Sequence, residues 1–446
     1  MSDLLSCCTE FLLAHGYDAY LVGGTVRDQE MGRESHDIDL AVPSAALHIA
    51  RHLADHLGGA YYPLDVERET GRIVLPEHST VDIARLRGSD ITADLAARDF
   101  TVNAMARWLS DLGTLIDPHA GLRDLSEKRL RAVNSRIFAD DPARLLRAVR
   151  LAAELDFEIE PATSGLIQQN VSRVTDIAGE RARDELLRIM QRADAAASVR
   201  ALARLGLLAP LLPHAHVSPA SRSTLEQLGT LAADPTTVAG PPSYNTPNPL
   251  GTLAAHSAPA TYSPSSVVME FRQLLASNLI ASLAAGQTDA VVVKLAALYA
   301  DPADVVTDLG ALRFRRDEIH YARLLVAGSA RVRELTPPVA PLDAHRYFRD
   351  TSSDAGHLGL LLLALAESSP GLGAAQVEVV RQLLRYYRDS HDRVIAPAPL
   401  INGAELAARF GLHGRQIGDR LKLLLEAQVQ GAIRTVADAE RFLQQQ

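Results

Sequence analysis

Tyr20-Leu-Val-Gly-Gly-Thr-Val-Arg-Asp28, continued by Asp37-Ile-Asp-Leu40, packs a strand, a tight turn, a helix start and a second strand into one short stretch. Its apolar run ends abruptly at Gly23-Gly24, the residue type that lets backbone N–H groups approach a phosphate without a Cβ in the way. A helix is expected to open near Thr25 and to carry Arg27, whose guanidinium can grip a phosphate in bidentate fashion. On the second strand, Asp37 and Asp39 are two residues apart and so point to the same face. Paired carboxylates of this kind are hard oxygen ligands suited to Mg²⁺, and metal ions held there can serve the attacking and leaving oxygens of a phosphoryl displacement. Asp37 and Asp39 are therefore the candidate catalytic and metal residues, and Gly23, Gly24 and Arg27 the candidate nucleotide contacts. The chemistry they imply is nucleotidyl transfer from a nucleoside triphosphate.

The order and spacing of these residues resemble the signature of the class II tRNA nucleotidyltransferase and bacterial poly(A) polymerase family. Arg98-Asp-Phe-Thr-Val-Asn-Ala-Met105 resembles the family's second motif, in which an Arg-Asp pair contacts the ribose and phosphates of the incoming nucleotide. The resemblance assigns Arg98 and Asp99 that role, while Ala97 stands where the motif usually has a further arginine. Ile116-Asp-Pro-His-Ala-Gly-Leu-Arg-Asp-Leu125 resembles the third motif and reads as the connection out of the first domain.

Phe138-Ala-Asp-Asp-Pro-Ala-Arg-Leu-Leu-Arg-Ala-Val-Arg150 is the most informative helix. Pro142 suits a first helical position, and Asp141 suits an N-cap. Asp141, Arg144, Arg147 and Arg150 recur every third residue, a stripe that drifts around the helix. Cytosine and adenine share an exocyclic amine donor beside a ring-nitrogen acceptor, which a carboxylate plus a guanidinium complements. Uracil and guanine would leave those groups unpaired, at a cost. Asp141 and Arg144 can thus select C and A, with protein side chains acting as template. In the family this motif is Glu-Asp-x-x-Arg and does that work; here Asp140 replaces the Glu, and Arg147 and Arg150 match arginines assigned to nucleotide binding. Ile177-Ala-Gly-Glu-Arg-Ala-Arg-Asp-Glu-Leu-Leu187 resembles the fifth motif, with Glu180, Arg181 and Glu185 read as structural.

The resemblance implies an α/β nucleotidyltransferase head of polymerase-β-like fold, followed by an all-α neck, body and tail. The expected spans are 1–124 for the head, 125–192 for the neck, 193–341 for a degenerate HD-like body and 342–446 for the tail. Residues 2–15 read as an amphipathic helix, Ala45–Leu57 as a helix started by Pro43-Ser44, and Ala60–Leu64, Gly71–Leu75 and Thr80–Leu86 as strands. Asp82, on the last strand, is a third carboxylate of lower rank. Prolines at 241–242, 247, 249 and 259 mark 213–266 as an irregular loop. Val293–Asp301 resembles the stretch where family members carry a metal-binding His-Asp pair, but Ala300 replaces the histidine, so the body is expected to serve as scaffold. His214 and His256 are expected to be exposed or satisfied side chains. From Leu342 on the chain reads as helical, with Leu358–Leu365 buried, and its end resembles the part of the family that clasps tRNA.

A net charge of −9 argues against a diffuse nucleic-acid coat, so an RNA site must be local. Cys7 and Cys8 are adjacent and form no disulfide framework. No apolar run of about 18 residues suggests a membrane span, and no basic N-terminal region suggests a secretory signal. The expectation is a cytoplasmic enzyme, monomer or homodimer, using Mg²⁺, CTP and ATP to extend tRNA. A poly(A) polymerase shares every motif and is the nearest alternative; a non-catalytic RNA-binding protein is a second. Between Asp82 and Arg98 the chain is short. Family members that add the full CCA carry a longer flexible loop there, so the resemblance implies CC addition, with CCA addition as competitor.

Overall fold

The computed structural model describes residues 2–33, 37–76, 79–233, 288–351 and 374–445. The chain divides into two compact units, Met1–Ala178 with Arg204–Pro210, and Gly179–Ala203 with Leu211–Gln446.

The first unit is built on a seven-stranded sheet. After helix α1 (Ser2–Ala14) come β1 (Tyr20–Val22), α2 (Gly24–Glu30), β2 (Asp37–Val42), α3 (Ala46–Leu57), β3 (Ala60–Asp65), β4 (Thr70–Val74), β5 (Thr80–Arg85) and α4 (Ile91–Ala96). Strands β6 (Ala106–Trp108) and β7 (Asp111–Ile116) complete the order β3-β4-β5-β2-β1-β6-β7. Only β2 and β5 run parallel; the other neighbours are antiparallel. The sequence reading anticipated the strands up to β5 but not β6, which is three residues long, or β7, which has no buried residue, so period-2 alternation is weak there.

Helix α3 covers one face of the sheet. Its Ile49, Ala50, Leu53 and Ala54 are buried, and they share one side of a helix at this spacing. The approach is close: a Cβ on Gly71 would lie 2.9 Å from Ala50 Cβ and 3.0 Å from the Tyr61 ring. The helix starts one residue later than expected, at Ala46. Ser44 makes no cap; Ala45 adopts the left-handed region at φ 56° and no side chain caps the end. Gly58, also left-handed, stops the helix as its composition suggested.

Beyond the sheet, α5 (Gly121–Ser126) is capped by Asp117, whose carboxylate accepts the N–H groups of Gly121 and Leu122. Helix α6 (Ile137–Asp140) breaks at Asp141-Pro142, and α7 (Arg144–Leu155) follows. Leu145, Leu146, Ala148, Val149 and Leu151 bury one side of α7. A two-residue parallel pairing of Arg129-Leu130 with Glu158-Ile159 adds a strand element to a region read as purely helical.

The described part of the second unit is helical. A helix over Pro219–Ala233 occupies ground expected to be irregular. It carries few prolines beyond its first residue, and the proline-rich signal came from residues further on; those, with His256 and Leu358–Leu365, lie outside the described residues. Asp301 caps the helix Pro302–Ala311 by accepting the N–H of Ala303 at 2.7 Å. His214 is satisfied, its Nδ1 2.7 Å from Asp308, which also accepts the Tyr299 hydroxyl. Lys294 is fully buried and donates to the carbonyls of Met190 and Arg192. Near the C-terminus, Asn402 with Glu405 and Thr435 with Asp438 form reciprocal caps for the helices Gly403–Phe410 and Val436–Gln444, contacts typically worth ~1 kcal/mol each. Among the described residues no helix is long and apolar enough to cross a membrane.

Candidate functional site

The face of the sheet opposite α3 carries the carboxylates. Parallel pairing sets Asp39 directly beside Asp82, and Asp37 beside Thr80. Thr80 donates to the Asp37 carboxylate at 2.6 Å. Thr25, buried at the start of α2, stitches helix to strand: its hydroxyl accepts the Asp39 N–H at 2.8 Å and donates to the Asp37 carbonyl. Asp82 is gripped bidentately by Arg72 at 2.7 and 2.8 Å.

Gly23 and Gly24 sit against this cluster. Gly23 has φ 69°, and a Cβ there would come within 2.8 Å of Arg98 Nη1 and 3.4 Å of an Asp39 carboxylate oxygen. A Cβ on Gly24 would lie 3.5 Å from Arg27 and 3.6 Å from Asp39. Two glycines, two arginines and one carboxylate therefore share a small volume, and both the backbone angle and the space require glycine at 23. Burial pushes the Asp39 carboxyl up to about 6; Asp82 and Asp37 push the same way, against Arg98 and Arg147.

The arginines are held from behind. Buried Asp94 binds Arg98 through Nε and Nη2 and also accepts the Arg87 N–H. Arg27 is clasped by Asp28 and donates to Asn103 at 2.7 Å. Asn103 in turn donates to Asp99, whose other oxygen accepts from Arg147 Nε at 2.6 Å. Burial alone would raise the Asp99 carboxyl, but Arg147, the Phe100 N–H, Asn103 and Arg144 outweigh it and hold it down at about 2. Asp99 is thus an anchored anion.

The α7 residues divide. Asp141 accepts the Ala143 N–H and its carbonyl accepts from Arg144, closing the turn before α7; the N-cap of α7 itself is Ala143, two residues later than expected, because Asp141-Pro142 ends α6 instead. Arg144 donates to the carbonyls of Ala97 and Arg98, at the end of α4. Arg147 reaches Asp99. Arg150 is buried and holds Glu154 one turn on with both carboxylate oxygens. A three-residue spacing rotates by roughly −60° per step at 3.6 residues per turn, so the stripe that starts at Arg144 has turned into the packed side by Arg150.

Sequence reasoning did not single out Thr25, Asp94, Asn103 or Arg72. Asn103 stands within the Arg98–Met105 motif, four residues after Asp99, and could have been found there. The others gave no local signal.

For a divalent ion the donor set is suitable: Asp37 and Asp39 offer hard oxygens on one face, in a spot crowded with negative charge. Among the described residues no three His, Cys, Asp or Glu side chains cluster closely enough to hold an ion by themselves.

Residues 19–131 match the family model for the poly A polymerase head domain, and 156–218 match that for a probable RNA- and SrmB-binding site of polymerase A. A CC-adding tRNA nucleotidyltransferase of Geobacter sulfurreducens is 32% identical, covering 96% of this chain and 92% of its own. An A-adding tRNA nucleotidyltransferase of Deinococcus radiodurans is 31% identical over 96% of this chain and 95% of its own. The solved complex of a CCA-adding enzyme with ATP superposes with a TM-score of 0.70 at 24% identity, covering 99% of this chain and 94% of that one, a likeness of fold. With the carboxylate pair, the glycine turn and the anchored arginines in place, and with relatives 31% and 32% identical over nearly their whole length, this chain belongs to the family of tRNA nucleotidyltransferases and bacterial poly(A) polymerases.

Proposed function

We propose that the chain adds CMP from CTP, twice, to the 3′ end of tRNA, without a nucleic-acid template, and leaves the terminal A to another enzyme. The observation that carries nucleotidyl transfer is the convergence of Gly23, Gly24, Arg27 and Arg98 on Asp39. The RNA 3′-oxygen forms a bond to the α-phosphorus, the bond from that phosphorus to the bridging oxygen breaks, and pyrophosphate leaves. Asp37 and Asp39 would hold Mg²⁺, which when bound supplies positive charge to the phosphates and orients them. Gly23 and Gly24 give the triphosphate room, and Arg27 and Arg98, fixed by Asp28 and Asp94, offer charge to it. Asp99 with Arg147 orders the ribose side, and Asp141 with Arg144 reads the base edge. Arg150 serves from behind, through its Glu154 pair.

CC rather than CCA addition is supported by residues 86–97. Leu86 is bound to Val42 through its N–H, Asp90 caps α4, Asp94 ties Arg87 to Arg98, and Arg144 seizes the far end. A connection tied at both ends has little freedom to shift the templating groups from cytosine to the larger adenine. The compartment we propose is the cytoplasm, where the free thiols Cys7 and Cys8 would stay reduced.

The test supplies purified enzyme with tRNAs lacking CCA, ending in C, or ending in CC, together with CTP, ATP or both, and resolves products to one nucleotide. Two C additions and no A addition are expected, both abolished in folded Asp37→Ala and Asp39→Ala variants. Efficient A addition to the CC-ended tRNA overturns the CC-only reading; long A-tails on unrelated RNA point to a poly(A) polymerase. Undiminished turnover in either Asp variant removes the catalytic assignment.

A further inference from the structure

The strand register continues the catalytic row past the carboxylates. Asp39 pairs with Asp82, Asp82 with Arg72, and Arg72 with Tyr62, across β2, β5, β4 and β3. Laterally paired residues share a face of the sheet, and the bidentate Arg72–Asp82 bond confirms it for the middle of the row. Tyr61 points the other way, beside Gly71 under α3. Tyr62 therefore lies on the face opposite α3, in line with the carboxylates, three strand spacings or roughly 14 Å from Asp39. It is 53% exposed. The Arg72 side chain, 41% exposed, stands between the tyrosine and the carboxylates.

Which side of Asp39 this row occupies matters. Gly23, Gly24, Arg27 and Arg98, the triphosphate's contacts, gather toward β1. Tyr62 and Arg72 lie beyond β5, on the opposite flank. In-line displacement needs the attacking oxygen to enter opposite the leaving pyrophosphate, so the RNA end must approach from the β5-β4-β3 side. There it meets an exposed aromatic ring and a guanidinium, the pairing that single-stranded nucleic acid uses for base stacking and backbone contact. An edge strand can also recruit another strand through its backbone, but Pro63 removes an N–H from β3 and the pairing slips at Pro63/Asp65. The side chains, not the backbone, are what this edge offers.

We propose that Tyr62 and Arg72 form the platform for the single-stranded 3′ end of the RNA substrate, with a base one to two nucleotides behind the reacting hydroxyl stacked on Tyr62. This deepens the transfer reading above and rests on it for the direction of approach.

Tyr62→Ala and Tyr62→Phe are compared with the wild type in two measurements. In steady-state CMP addition, Tyr62→Ala should raise the KM for tRNA roughly tenfold, within the range seen when one base loses its aromatic partner, with the KM for CTP unchanged; Tyr62→Phe keeps the ring and should restore the wild-type value. In the second, the tRNA carries 2-aminopurine at the nucleotide just before the CC, and its fluorescence is read on binding without CTP. Quenching is expected with wild type and Tyr62→Phe and is lost with Tyr62→Ala. An unchanged KM for tRNA, an equal rise for CTP, or the same fluorescence in wild type and Tyr62→Ala overturns the platform. Tyr62-dependent quenching by a wild-type enzyme that adds no nucleotide would sustain the platform and sink the transfer reading instead.

Discussion

Replacing Asp99 by Asn tests the anchored anion that links Arg27, through Asn103, to Arg147 on α7. Asp99 is 8% exposed and its carboxyl is held at about 2, against an ordinary 3.8. A carboxyl depressed on folding contributes stability that is present above its unfolded value and is lost as pH falls toward the folded one. The drop is worth about 2 kcal/mol at pH 7, at 1.36 kcal/mol per tenfold change in proton affinity. Breaking a fully buried pair costs ~3–5 kcal/mol. Here the Arg147 side chain is 41% exposed and can rehydrate, so the smaller figure governs. Trp108, the single tryptophan, belongs to β6 of the first unit and stacks near Tyr20, so its fluorescence in urea follows that unit. With a urea slope near 2 kcal/mol per molar, Asp99→Asn should lower the midpoint by about 1 M at pH 7. The difference should shrink to roughly half by pH 3. In a double-mutant cycle with Arg147→Gln the two changes should fall short of adding, by ~1–2 kcal/mol. Equal midpoints at pH 7, a difference that persists undiminished at pH 3, or strict additivity would refute the reasoning.

Two further outcomes are expected. Arg144→Ala should weaken discrimination against UTP and GTP by about tenfold or more, since a mismatched base no longer faces an unpaired buried group worth ~1–3 kcal/mol; misincorporation assays with each triphosphate read this, and wild-type selectivity would reduce Arg144 to a brace for α4. Glu426 accepts from both Arg346 and Arg349, and those bonds, Arg346 first, hold its carboxyl at about 2 against the cost of burial. Glu426→Gln should therefore lower the thermal midpoint of the second unit at pH 7, and wild type should lose the same increment as pH falls from about 4.5 toward 2; a variant with the wild-type midpoint at pH 7 would show the clamp to be ornamental.

The parts of the site that were legible in the sequence are those whose geometry is set by near neighbours. Asp37 and Asp39 share a face because a strand repeats every two residues, whatever surrounds it. Gly23 needs positive φ because a strand must turn into a helix within two residues. Asp141-Pro142 breaks the chain between α6 and α7 because proline cannot continue a helix, though α7 itself starts two residues later than expected. Family resemblance added Arg98, Asp99, Arg144 and Arg147. By contrast, Asp94 and Arg72 are ordinary charged residues in sequence, and Arg150 looked like its neighbours. The irregular reading of Pro219–Ala233 failed because local signals there compete with packing that only the folded chain supplies.

Sequence alone determined the chemistry: two carboxylates on one strand, a glycine turn and a charged helix, whose patterns are local and periodic. Tertiary structure decided what those groups rest on and which other side chains flank them. Arg27 meets Asn103 across 76 positions and Arg147 meets Asp99 across 48, pairings that exist only once sheet and helix are assembled. The strand order β3-β4-β5-β2-β1-β6-β7 is not written in any single segment, because register between distant strands follows from which faces must be buried together. That order sets Asp39 between the glycine-arginine flank and the Arg72-Tyr62 flank, and so gives the site two sides.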